Sequence, residues 1–154
     1  LGASSYTYAE VTEDQRLPAW IGAHTRMLEA FGGSPELLIP DNLKSGVTRP
    51  CHYEPAVNRT YEDLARHYGA AVLPARTYNA RDNAKVEAGV LVAQRWILAR
   101  LRDLTFFSVA EMNIAVFELA HALNDRPMKH LGASRYAQTS RRVPPLCHLP
   151  RAAQ

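Results

Sequence analysis

The chain has 154 residues, 47% of them apolar and 21% charged, a balance ordinary for one soluble globular domain with a sizeable core. Eighteen Lys and Arg against fifteen Asp and Glu leave a net charge of +3, which permits nucleic-acid binding without demanding it. Two cysteines, Cys51 and Cys147, exclude a disulfide framework, and no apolar run approaches the roughly 20 residues that span a bilayer. Reduced thiols in a cytoplasmic protein are therefore expected.

In chain order, the opening "LGASSYTYAE" lacks the basic start and apolar core of a signal peptide, and it lacks an initiator methionine, as a piece of a longer protein would. "SSYTYAEVT" (4–12) is rich in Tyr, Thr and Val and reads as a strand. Pro18 suits a first helical turn; Ile21, His24, Leu28 and Phe31 then recur at helical spacing, and Gly32-Gly33 marks the stop. "ELLIP" (36–40) is too short for a helix and reads as a buried strand. After "DNLKSG", the stretch "VTRPCHYEPAVNR" reads as extended or coiled.

Thr60 and Asp63 stand like a capping pair before Leu64, Ala65 and Tyr68, with Gly69 as the stop. "AAVLPA" (70–75) reads as another short buried strand. A long helix is expected over 82–103, with Val86, Val90, Ala93, Ile97 and Leu101 on one face. Ser108 and Glu111 form the S-x-x-E box of a last helix, striped by Val109, Met112, Val116, Leu119, Ala120 and Leu123 and followed by Pro127. Strands alternating with helices imply an α/β fold, a mixed sheet with helices on its faces. "RRVPPLCHLPRAAQ" has Pro144, Pro145 and Pro150 and no periodicity, so residues 137–154 are expected to be a tail or linker behind a domain ending at 136.

Two carboxylates stand out by position. Asp41 leaves a strand, and open α/β sheets carry functional groups in the loops beyond strand ends. Glu87 lies in "RDNAKVEAGV", early in the long helix. Turn chemistry accounts for the first residue alone, and the helix dipole for the second. Together they fit a hard cation such as Mg²⁺, because a two-metal phosphoryl-transfer site needs carboxylates converging from separate elements. Lys44 follows Asp41, and Arg76, Arg81 and Lys85 surround Glu87, as a site that admits a nucleic-acid backbone would require; a solvated face explains the same cations.

Other constellations are weaker. Cys51-His52 and Cys147-His148 lack zinc spacing; His24 and His121 fall on or beside apolar helix faces and read as hydrogen-bonded core residues. Trp96 and Phe106-Phe107 read as core rather than as base-stacking groups. Ser45 lacks a nucleophile elbow, and no phosphate-binding glycine loop of the ATPase type occurs.

"IPDNLKSGV", "YEDLARHYGAAVLPA" and "NAKVEAGV", with 45 residues between Asp41 and Glu87, resemble the DDE integrase core; "LNDRPMKHLGAS" (123–134) resembles the segment that closes many such cores. "GASSYTYAE" and "PDNLKSGV" resemble more narrowly the IstA-type bacterial transposases. The resemblance implies a ribonuclease H-like fold and metal-dependent DNA cleavage and strand transfer. It makes Asp41 and Glu87 the second and third catalytic, metal-binding carboxylates, with Mg²⁺ (or Mn²⁺ in its place). The first carboxylate would lie on a strand upstream of residue 4, with Glu13 and Asp14 poor substitutes, so the isolated chain is expected to be inactive. Asn42 would orient Asp41, while Lys44, Arg76, Arg81 and Lys85 would contact DNA. "RTYNARDN" departs from the family through Tyr78 and Asn79. Implied partners are transposon-end and target DNA, further copies of the chain, and an AAA+ helper ATPase, all in the bacterial cytoplasm. A non-catalytic DNA-binding or assembly module and a ribonuclease H-like nuclease are the alternatives on the same fold.

Overall fold

The computed structural model describes residues 1–40, 47–49, 56–73, 80–129 and 132–142, of which 47–49, 56–57, 80–86 and 140–142 are described by backbone alone. The elements are α1 (Leu17–Phe31), β1 (Leu37–Leu38), β2 (Val47–Arg49), β3 (Ala56–Val57), α2 (Arg59–His67), β4 (Ala71–Val72), α3 (Ala80–Ala93), a π-helical turn (Gln94–Leu98), α4 (Ala99–Leu101), α5 (Val109–Asp125) and α6 (Arg135–Arg142). They fall into two compact units, Leu1–Glu13 with Ala84–Pro144, and Asp14–Asn83 with Pro145–Gln154.

In the second unit α1 starts as expected, with Pro18 at its first turn, and ends where Gly32 turns left-handed at φ +70°. Gly32 and Gly33 donate their backbone N–H groups to Glu29 and Leu28, which satisfies carbonyls the helix leaves orphaned. β1 and β4 pair in parallel, Leu37 opposite Ala71 and Leu38 opposite Val72. Both segments were expected to be buried; Leu38 and Pro40 are, while Leu37, Ile39 and Leu73 are exposed. The reason is alternation: a pleated strand turns successive side chains to opposite faces, and here one face alone meets the core. That core joins Leu38 to Tyr61 and Ala65 of α2, with Trp20 and Ile21 of α1 packed beside them. Asn58 caps α2 by accepting the Thr60 N–H at 3.0 Å, two residues ahead of the expected capping pair. Gly69, at φ +69°, provides the expected stop. β2 and β3 form a short antiparallel pair within the stretch expected to be extended or coiled.

His24 is half-buried, its Nδ1 2.9 Å from the Trp20 carbonyl and its ring against those of Trp20 and Tyr61. Burial holds its pKa below the usual imidazole value, against the pull of that carbonyl. His121, expected beside the core, is exposed on α5 because it lies off the stripe that α5 buries.

In the first unit the expected long helix is continuous in backbone but not in kind, since a π turn interrupts it at Gln94–Leu98. Ile97 and Leu101 pack with Val116 and Ala120 of α5, and Ala93, Trp96, Phe106, Met112 and Leu119 close around them. Val90, assigned to the buried stripe, is half exposed, because the cluster built on α5 extends up this helix only to Ala93. Phe106 packs as expected, but Phe107 is 91% exposed, standing one residue before the α5 cap. The capping box forms: Ser108 Oγ accepts the Glu111 N–H at 3.0 Å, and Glu111 reaches back to the Phe107 N–H at 2.8 Å.

Residues 4–12, expected as a strand, are in no strand ladder among the described residues. Their backbone is paired with side chains instead. Asn124 accepts the Thr7 N–H at 3.0 Å and donates to the Thr7 carbonyl at 2.8 Å. Asn113 does the same for Val11, at 2.8 and 2.9 Å. Two amides on one helix thus stand in for a neighbouring strand's edge. Finally, α6 runs to Arg142, so the boundary drawn at Tyr136 falls inside a helix. Ser134 Oγ accepts the Ala137 N–H, Gln138 is buried, and Thr139 Oγ1 donates to Ser4 Oγ at 2.8 Å.

Candidate active site

The parallel pair of β1 and β4 sets where the two expected carboxylate segments depart. The Ala71 N–H donates to the Glu36 carbonyl at 2.8 Å and the Leu73 N–H to the Leu38 carbonyl at 2.9 Å, so both strands point the same way. From β1 the chain passes through Ile39 and buried Pro40 directly into Asp41. From β4 it passes through Leu73 and residues 74–79 into α3, which carries Glu87. Both segments therefore follow a strand in the chain. Asp41, Asn42, Lys44 and Arg76 lie outside the described residues. Arg81 and Lys85 lie on α3, where the backbone alone is described.

Glu87 is exposed and stands seven residues past Ala80, the first residue of α3. That removes its structural excuse, because the stabilising effect of a helix N-terminus fades within the first turn. Among the described residues its carboxylate has no ion pair or hydrogen bond, and its oxygen donors suit a hard cation. No group of three or more His, Cys, Asp or Glu side chains converges as a metal site among the described residues. Asp14 is engaged elsewhere: its carboxylate accepts the Arg16 N–H at 2.8 Å and pairs with the Arg16 guanidinium at 3.5 Å, as suits a turn before α1. Cys51, His52, Cys147 and His148 lie outside the described residues.

A second charged constellation occurs in the same unit as Glu87. Trp96 sits in the π turn, half-buried against the core, and its Nε1–H donates to the Leu119 carbonyl at 3.2 Å. Over the fixed indole lie two guanidinium groups, Arg100 at 3.8 Å from the ring centroid and Arg126 at 4.6 Å. Arg135 stands near by, donating to the Leu123 carbonyl at 2.9 Å in the last turn of α5. Its pKa is pulled down by partial burial and then by the charge of Arg126. From sequence, Arg100 and Arg126 fall in two basic clusters, Arg95 to Arg102 and Arg126 with Lys129, but nothing there joins the two to one ring. The four-residue step from Trp96 to Arg100 was a readable signal, whereas the arrival of Arg126 from the end of α5 was not.

No helix among the described residues is long and apolar enough to cross a membrane. No protein-family model matches the chain. Over 135 residues, 88% of its length, the chain is 50% identical to a Burkholderia multivorans protein named "Putative transposase for insertion sequence IS408". It is 46% identical over the same length to "Putative transposase y4bL/y4kJ/y4tB" of Sinorhizobium fredii. These matches cover 26% of each relative, so the chain spans about a quarter of the length of the curated relatives it matches. In fold it is similar to the catalytic core domain of BIV integrase, with a TM-score of 0.66 at 15% identity over 88% of this chain and 78% of that one. It is also similar to a chain of the simian T-cell lymphotropic virus intasome, with a TM-score of 0.63 at 14% identity over 93% of this chain and 47% of that one. The fold is thus the ribonuclease H-like fold of integrase catalytic cores, and the chain is homologous to a segment of the two transposase-named proteins.

Proposed function

We propose that the chain is the core segment of a DDE transposase that cleaves transposon ends and joins them to target DNA. The observation that carries this reading is the 50% identity over 135 residues to a transposase-named protein, on an integrase-core fold. Asp41 and Glu87 are the acidic pair of the site. Supporting that assignment, Glu87 is an exposed carboxylate without an ion pair or hydrogen bond among the described residues, two turns into α3, and Asp41 follows β1 in the chain.

Asp41 and Glu87 would hold divalent metal, Mg²⁺ or Mn²⁺ in its place, which when bound supplies charge stabilisation for in-line displacement at a phosphodiester. Asn42 would orient Asp41. Lys44, Arg76, Arg81 and Lys85 offset the phosphate charge of approaching DNA. The chain works as an oligomer, which its likeness to an intasome chain supports, and in the bacterial cytoplasm, which its bacterial relatives support. The IstA-type affinity, and with it an AAA+ helper ATPase, rests on "GASSYTYAE" and "PDNLKSGV" alone. Neither the assembly-module nor the hybrid-nuclease alternative is favoured, since the relatives carry transposase names.

The deciding experiment places this chain in the IS408 relative in exchange for the matching segment. Transposition and end cleavage are then measured with and without Glu87→Gln. The substitution removes a negative charge at constant shape, and transposition falls at least a hundredfold while end-DNA binding persists. Cleavage that survives Glu87→Gln defeats the catalytic assignment.

A further inference from the structure

Two arginines share the one indole of Trp96, each attracted to its ring. Each also stands at a helix C-terminal end, Arg100 in the last turn of α4 and Arg126 just past α5, where the helix dipole favours a cation. Neither residue has an ion pair or a hydrogen bond among the described residues. Their guanidinium carbons lie 3.8 and 4.6 Å from one ring centroid, hence roughly 8 Å apart or less, about one Debye length at physiological ionic strength. Two like charges so close repel, and Arg135 adds a third.

Stacking has a second consequence. A guanidinium held over a ring spends none of its N–H donors on it, and those donors can meet phosphate oxygens two at a time. The ring beneath is itself pinned by the core and by the Leu119 carbonyl. The fork is therefore held in place before any ligand arrives, so little side-chain freedom is lost on binding.

We propose that Arg100 and Arg126, stacked on Trp96, form a fork that grips the phosphodiester backbone of duplex DNA away from the carboxylate site. Arg100 stands thirteen residues beyond Glu87 on a continuous run of helix, roughly 20 Å along the axis at 1.5 Å per residue. The fork therefore reads no base and does no chemistry; it positions the duplex. This inference rests on the reading of the chain as a DNA-acting core.

The test is binding of the 154-residue chain to a fluorescein-labelled 30-base-pair duplex of arbitrary sequence, by anisotropy between 50 and 200 mM salt. Each phosphate contact contributes about 0.9 to the slope of log affinity against log salt. Arg100→Ala/Arg126→Ala should lower that slope by about 1.8, so the fourfold rise in salt costs it roughly twelvefold less affinity than it costs the wild type. Arg100→Lys/Arg126→Lys keeps both charges without the planar fork, and should recover the slope while binding more weakly than the wild type.

An unchanged slope in the alanine pair overturns the fork and leaves the transposase reading standing. Failure of the lysine pair to recover the slope also overturns it, because the loss then comes from the fold and not from charge. A wild-type chain that binds no duplex at 50 mM salt brings down the fork together with the DNA-acting reading of this segment.

Discussion

Replacing Asn124 tests whether side-chain amides hold the N-terminal segment to α5. Asn124 is 4% exposed and makes two backbone hydrogen bonds to Thr7. Each neutral bond contributes about 1 kcal/mol net, and leaving the partly buried Thr7 groups unpaired adds a further penalty, so Asn124→Ala should cost about 2–3 kcal/mol. Asn124→Leu keeps the branched side chain of four heavy atoms and loses both bonds, so it should cost nearly as much; an account by apolar contact alone predicts little loss. Asn124→Asp keeps the acceptor for the Thr7 N–H but sets an anionic oxygen against the Thr7 carbonyl, and it should be no better than alanine. Asn113 is half-buried, and its alanine variant should cost about 1–2 kcal/mol on the same reasoning. The two amides lie eleven residues apart, about 16 Å along the helix, too far to touch. Their effects should add unless the strap lifts as one body, in which case the double variant loses less than the sum. Urea unfolding with a common slope gives these differences, and amide exchange at Thr7 and Val11 localises them. An Asn124→Leu variant within about 0.5 kcal/mol of the wild type would refute the clamp.

Acidification should weaken the second unit through His24. Its folded pKa lies below the usual 6.5 because burial penalises the charged ring, so the unfolded chain binds the proton first. Stability is full above 6.5 and declines as pH falls from there through the folded value; urea midpoints at pH 7.5 and 5 measure it. His24→Gln should flatten that decline, and an equal decline in the variant would assign it to other groups. Ser108→Ala should cost about 1 kcal/mol by removing the acceptor for the Glu111 N–H at the start of α5, read as a lowered urea midpoint at unchanged slope. No change there would mean that Glu111 and the Phe107 N–H suffice as a cap.

Much of the helical architecture is written locally and is legible for that reason. Pro18, the Gly32-Gly33 pair, Gly69 and the Ser108–Glu111 box each act through neighbours within a turn, and each does so here. The strand readings fared differently because pairing partners are not local. "SSYTYAEVT" has strand composition, yet whether its backbone meets a strand or two asparagines is decided more than a hundred residues away. Likewise the short apolar runs at 36–40 and 70–75 look the same whether one face or both are covered. Glu87 could be singled out by motif, but its freedom from the dipole depended on where α3 begins. Arg126 could not be paired with Trp96 without the path of α5.

The π turn at Gln94–Leu98 acts as an index mark for everything upstream. A turn closed by an i to i+5 bond holds one residue more than an α turn, and here the Ala99 N–H reaches back to the Gln94 carbonyl. Removing that surplus residue would leave Leu101 and its contacts with α5 where they are, but would swing α3, with Ala93, by about 100° about its axis. Glu87, seven residues before the turn, would then face a different direction with its own sequence untouched. The bearing of the acidic side chain is therefore encoded by the count of residues in a neighbouring turn, and an insertion or deletion there is equivalent to moving the carboxylate itself.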